Sequence, residues 1–177
     1  MVGACYTIYM IKSIFLILGV LLLIIFSSYY VSIKQPDVNT QVVSPALVEY
    51  TNNTYGFRIA LPQGWKGYSI VEKVWEGVPV GANTVTEHGP LISIRHPLWT
   101  TNVPRQDIPV MVFTLQQWND MQAEKFHIGA APIGPRELGR NTRYVFAIPA
   151  RYNFAYLPGF EEVDEIINSN AFSAFFY

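Results

Sequence analysis

Residues 13–33, SIFLILGVLLLIIFSSYYVSI, carry no charge and are mostly Leu, Ile, Val and Phe. In a helix these twenty-one residues rise about 31 Å, which matches the hydrocarbon core of a bilayer. Secretory signal peptides have shorter apolar cores and a small-residue cleavage site. Here the stretch that follows, FSSYYVSIKQP, has no A-x-A pattern and carries bulky Tyr29, Tyr30 and Val31. The segment therefore reads as an uncleaved transmembrane signal-anchor helix behind a short cytoplasmic leader, residues 1–12. Lys12 precedes it and Lys34 follows it, so the positive-inside rule favours a cytoplasmic amino terminus by a small margin. The expected product is a single-pass membrane protein with an extracytoplasmic head. Cys5, the one cysteine, precedes the apolar run, which argues against a lipoprotein. The head has no thiol and needs no disulfide, as suits an oxidising compartment.

Of twelve Lys and Arg and thirteen Asp and Glu, all but Lys12 lie beyond the apolar run. That leaves a net charge of −2 on the rest and no basic stripe. Nucleic acid is thus a poor partner. Residues 34–48, KQPDVNTQVVSPALV, are polar with Pro36 and Pro45 and show no period; they read as a flexible linker. Residues 49–177 suit one domain with its own core.

In the head, residues 55–61 (YGFRIAL) alternate, with Tyr55, Phe57, Ile59 and Leu61 on one strand face. Pro62-Gln63-Gly64 turns the chain. Residues 68–75 and 91–96 read as further strands, with a turn-rich stretch at 77–89 between them. Residues 108–113 (IPVMVF) are almost wholly apolar and read as a central strand buried on both faces. Thr114 and Gln117 fit a capping box. Leu115, Trp118, Met121 and Lys125 follow as a helical stripe that Gly129 closes. Residues 135–148 form a hairpin with its tip at 140–142. A second helix is expected over 160–168, with Phe160, Val163 and Ile167 buried, and 171–177 as a terminal edge strand. The class is α+β: an antiparallel β-sheet flanked by helices.

The run YGFRIALPQGW, residues 55–65, resembles the opening of PsbP-like domains: Tyr55-Gly56-Phe57, an alternating strand, then Pro62-x-Gly64-Trp65. Gly56 and Gly64 supply backbone freedom there, and Trp65 covers the core below the turn. The later order of central strand, helix, hairpin and closing helix is similar too. The resemblance extends over residues 49–177, with its specific motif content in the eleven residues 55–65. It implies a PsbP-like antiparallel sheet flanked by helices in a non-enzymatic binding or assembly factor. It carries over no catalytic, metal-binding or cofactor-binding residue.

Read from the residues themselves, the chemistry is sparse. His88, His96 and His127 have no metal-ligand spacing. There is no G-x-S-x-G elbow and no phosphate loop. No catalytic residue, metal or cofactor is expected. Glu161, Glu162, Asp164 and Glu165 open the last helix, where the dipole favours anions. Glu161 and Glu165, four apart, are a candidate weak cation or partner site. Arg136, Arg140, Arg143 and Arg151 cluster in the sequence around the late hairpin. Tyr152, Phe154 and Tyr156 follow at strand spacing, as three aromatics on one side. Trp99 in a proline-flanked loop, Arg140, Arg143, Arg151, Tyr152, Phe154 and Tyr156 are the candidate partner-binding residues. The expected function is a membrane-anchored binding or assembly module with a protein partner in the envelope. The alternatives are a glycan- or small-ligand-binding envelope protein and an enzyme with a dispersed site.

Overall fold

The computed structural model describes residues 21, 23–26, 47–129 and 133–176. The chain divides into two units, Met1–Ser44 and Pro45–Tyr177. In the first, residues 21 and 23–26 are helical and exposed. Among the described residues no helix is long and apolar enough to cross a membrane. The leader, most of the expected span and most of the linker lie outside the described residues.

The second unit runs β1 (Leu47–Asn52), β2 (Phe57–Pro62), a 3-10 turn (Gln63–Trp65), β3 (Ser69–Pro79), β4 (Glu87–Arg95), β5 (Ile108–Thr114), α1 (Leu115–Gln122), β6 (Phe126–Ile128), β7 (Arg136–Arg140), β8 (Tyr144–Ile148), α2 (Phe160–Asn168) and β9 (Phe172–Ala174). One sheet has the order β1-β2-β9 and the other β6-β3-β4-β5-β8-β7. Every ladder is antiparallel, so the class is α+β. Strand begins at Leu47, so the last two positions of the expected linker belong to the domain. Leu47 pairs with Pro62, and Val48 and Tyr50 turn inward onto the core.

β5 is the central strand that its composition predicts. Ile108, Val110 and Val112 face a core shared with Phe57, Ile59, Leu61 and Trp65 of the small sheet and with Val163, Ile166 and Ile167 of α2. Met111 and Phe113 face the other way, onto Trp75, Trp118, Met121 and Phe126. Each fully buried side chain of this size contributes about 1.5–3 kcal/mol. Pro109 is tolerated because it lies opposite Ser93 of β4, beyond the last β5–β8 pair at Met111. Gly89 lets the buried Trp75 indole lie on bare backbone: a Cβ there would sit 2.7 Å from the ring.

Several local expectations need correction. The capping box is present, with Thr114 Oγ1 accepting from the Gln117 N–H at 3.1 Å and Gln117 Oε1 from the Thr114 N–H at 3.1 Å. The helix, however, stops at Gln122, well before Gly129, and Lys125 lies in an exposed turn. There Glu124 has φ 56° and the Lys125 N–H donates to Asp120 O at 2.9 Å. The chain turns back because Phe126 has a place on β3: Gly77 has no side chain, and its Cβ would lie 2.6 Å from that ring. Gly129, at φ 62°, follows β6 rather than a helix. β3 and β4 pair as far as Gly77 and Glu87, so the turn is confined to residues 80–86. In α2 the buried face is Val163, Ile166 and Ile167, with Phe160 only half-buried. Gly56 does take a left-handed conformation (φ 81°), but the second such glycine of the motif region is Gly67 (φ 90°), not Gly64. β9 is the expected terminal edge strand, paired to β2.

Candidate functional site

Two long connections meet at one end of the domain: the β4–β5 loop, residues 96–107, and the β8–α2 loop, residues 149–159. Gln106, nearly buried, staples them. Its backbone N–H donates to Pro158 O at 3.0 Å. Its side-chain amide donates to Tyr152 O at 3.2 Å and to Asp107 O at 3.0 Å. Arg105 lies across Gly159, whose Cβ would fall 2.8 Å from the guanidinium. Gly159 also needs its left-handed φ of 84° to start α2. Any other residue there would be strained and would collide with Arg105.

Beneath the staple sits a polar node. Arg105 donates to Glu162 Oε2 at 3.4 Å, and the Trp65 indole N–H donates to Glu162 Oε1 at 3.0 Å. His96 packs edge-on against Trp65 with ring centres 4.9 Å apart. Its Nδ1 accepts from the Leu98 N–H at 3.0 Å, so the ring's proton sits on Nε2. Burial, and next the Arg105 charge, push the His96 pKa below its ordinary value; Glu162 opposes them. Arg105 Nε is buried with no hydrogen-bond partner among the described residues.

Above this node the loops display side chains that the core does not use. Phe154 is 76% exposed, Tyr156 70%, Leu98 66% and Val103 58%. Trp99 is half-buried, with the Arg95 guanidinium 3.9 Å above its ring. Arg95 is held in turn by a two-pronged pair with Asp107, at 2.9 and 3.2 Å. The expected row of three stacked aromatics does not form. Residues 150–155 are turns rather than strand, and Arg151 (φ 53°) and Tyr156 (φ 47°) are both left-handed. Tyr152 points inward to hydrogen-bond Asp164, Phe154 projects outward, and Tyr156 stands edge-on to Phe160. Tyr152 is therefore scaffold, while Arg151, Phe154 and Tyr156 are surface.

Arg140 and Arg143 are not part of this assembly. The β7–β8 tip is fastened to the β1–β2 turn, where Asn141 Nδ2 donates to Tyr55 O at 2.8 Å and to Gly56 O and Phe175 O at 3.3 Å. That turn closes the opposite end of the small sheet from Leu47 and Pro62, about 17 Å away along β1. Arg140 is occupied by Glu137, with Nε to Oε1 at 2.7 Å, and Arg143 is exposed. Glu161 and Glu165 are exposed as well, while their neighbours Glu162 and Asp164 are held by Trp65, Arg105, Tyr152 and Asn153. Among the described residues no group of three or more His, Cys, Asp or Glu could hold a metal ion.

The sequence brings Trp99 and residues 151–156 to attention, and the structure joins their loops. It does not mark Gln106, Arg105, His96 or Glu162, which are dispersed along the chain and match no spacing rule. Within this region Arg95 pairs with Asp107, Arg105 with Glu162, and Tyr152 with Asp164. No family model, curated protein or solved structure matches the chain.

Proposed function

We propose that the chain is a membrane-anchored, non-enzymatic binding or assembly module of PsbP-like kind. It holds an α+β head outside the cytoplasm and presents it to an envelope or membrane-complex protein. The observation that carries this reading is the stapled double loop. Exposed side chains as large as Phe154, Tyr156 and Leu98, held on loops that the fold immobilises, are the ingredients of a contact surface. The uncharged run 13–33 supports the tether, and residues 55–65 support the family likeness. The test is photo-cross-linking of the full chain in native membranes, with the reactive residue placed in turn at Phe154, Tyr156 and Arg143. A dominant protein adduct from any of these positions, in a fraction that survives carbonate washing, is the expected result. Failure to capture protein at all three would sink the reading.

The second reading is a glycan ligand, with Tyr55 as the ring on which a sugar face would stack. An open groove of about 400 Å³ on the uncovered part of β3 and β4 is lined by Tyr55, Glu72, Val74, His88 and Pro90. Retention of the head on wall material, lost on Tyr55→Ala, would move the function there.

A further inference from the structure

The first limb of the β4–β5 loop, residues 97–103, hangs on a single histidine. Thr100 and Val103 bond to each other, N–H to O at 3.2 Å in both directions, so those bonds close on the limb itself. Among the described residues, the hydrogen bonds that leave the limb end on His96. The Leu98 N–H donates to its Nδ1 at 3.0 Å, and the Trp99 N–H to its carbonyl O at 3.0 Å. The Arg95 guanidinium over the Trp99 ring is a further hold. The far limb is fastened separately, by Gln106 to Pro158 and Tyr152 and by Arg105 to Glu162. Leu98 and Val103 of the exposed display thus depend on one imidazole.

That imidazole is 5% exposed and stands edge-on to Trp65. Its neutral form accepts the Leu98 N–H, whereas the charged form carries a proton on both nitrogens and cannot. Two N–H groups then face each other across 3.0 Å. Burial against Trp65 hinders the ring from turning away, while the exposed Leu98 is free to move into water. The charged groups that act on His96 are Arg105, from the far limb of its own loop, and Glu162, from α2; Trp65, from the 3-10 turn, brings none. Arg105 repels an imidazolium. Glu162 attracts one, but its two oxygens already accept from Trp65 and Arg105. Burial and Arg105 outweigh Glu162, so the ring titrates below the ordinary 6.5.

We infer that His96 is a latch that acid opens: protonation frees residues 97–103 from the domain while both sheets stay folded. What the latch controls rests on the binding-module reading above. Leu98 and Val103 leave the display when it opens, so acid weakens the hold on the protein partner.

The experiment is hydrogen–deuterium exchange of the full chain in detergent micelles, corrected for the intrinsic effect of pH. The Leu98 and Trp99 amides should be protected at about pH 7.5 and at least about tenfold less so at about pH 5, where most carboxylates are still ionised. Ile92, Ile94, Val110 and Val112 in the flanking strands should keep their protection. In His96→Asn, Oδ1 can take the Leu98 N–H but no proton, so protection at 98 and 99 should persist in acid. Arg105→Gln removes the repulsion and should move the midpoint of the loss to higher pH. Amides at 98 and 99 that are unprotected at neutral pH, stay protected at pH 5, or open only together with the strands overturn the latch. So does an acid response retained in His96→Asn; where that variant does not fold, an unmoved midpoint in Arg105→Gln overturns it instead. A cross-linker replacing Leu98 in native membranes then separates latch from module. Protein adducts that fall severalfold in acid, and do not fall in His96→Asn, support the control of binding. Adducts undiminished in acid overturn that control and leave the module standing. Failure to capture protein at any position removes the module, while the exchange data still decide the latch.

Discussion

His88, His96 and His127 look alike in the sequence, since none has a ligand spacing; tertiary placement alone separates them. His88 and His127 are exposed, while His96 is 5% exposed, pinned by the Leu98 N–H and facing Trp65, Arg105 and Glu162. Protonating Nδ1 would break the Leu98 bond and set a second cation beside Arg105. Burial and Arg105 place the folded pKa below the ordinary 6.5. The folded state thus binds fewer protons than the unfolded chain between those two values. Stability is complete above the unfolded pKa and falls as pH drops toward the folded one. The urea midpoint should therefore decrease between pH 7 and about pH 5, before most carboxylates titrate. His96→Gln should start from a lower midpoint and lack that part of the decline. The same slope in both proteins would show that the imidazole is not the group responsible.

At the level of elements, local chemistry was legible where a local rule decides the outcome. Thr114 and Gln117 form the capping box that their spacing implies, and Pro158-Gly159 opens α2. Thr114→Ala removes the side-chain acceptor from the Gln117 N–H and should lower stability by about 1 kcal/mol. Thr114→Ser should remain close to the parent; chemical denaturation of the three proteins measures the difference. Legibility ended where a distant partner decides. The stripe Leu115, Trp118, Met121 extrapolates to Lys125, yet Phe126 gains more by stacking near Trp75 over the bare backbone of Gly77. The chain accordingly leaves the helix after Gln122 and adds a strand. Residues 152–156 alternate like a strand, yet residues 151–155 fold as turns. Their backbone bonds close turns instead, Phe154 N–H to Arg151 O at 3.0 Å and Tyr156 N–H to Asn153 O at 2.9 Å.

For the whole molecule, the decisive feature is that β5 serves two cores at once. Alternation along Ile108–Thr114 sends Ile108, Val110 and Val112 to the core beneath the small sheet, and Met111 and Phe113 to the core beneath α1. The unbroken apolar run announced that both faces would be covered, but not by what. The small sheet and α2 cover one face and α1 the other, because β1, β2 and β9 pair with one another rather than extending the six-stranded sheet. The same topology divided the expected binding residues. The β7–β8 hairpin carries Arg140 and Arg143 to the end of the small sheet that holds Tyr55, and the β8–α2 loop returns Arg151, Phe154 and Tyr156 to the end that holds Leu47. Sequence neighbourhood in an antiparallel hairpin does not preserve spatial neighbourhood across a strand's length. A shared central strand also makes the two cores interdependent. Trp65 reports on one core, and Trp75 on the other once Trp118, which also lies in the second core, is replaced by Phe throughout. Met111→Ala empties a fully buried site in the second core alone and should cost about 2–5 kcal/mol. If the cores stand or fall together, the unfolding curves of Trp65→Phe and Trp75→Phe, each followed by the fluorescence of the remaining tryptophans, coincide with their own far-UV curves. In each background Met111→Ala then shifts fluorescence and far-UV signals by the same amount. Curves that separate, with signal from Trp65 surviving the loss of the Met111 core, would mean that β5 holds one core without the other.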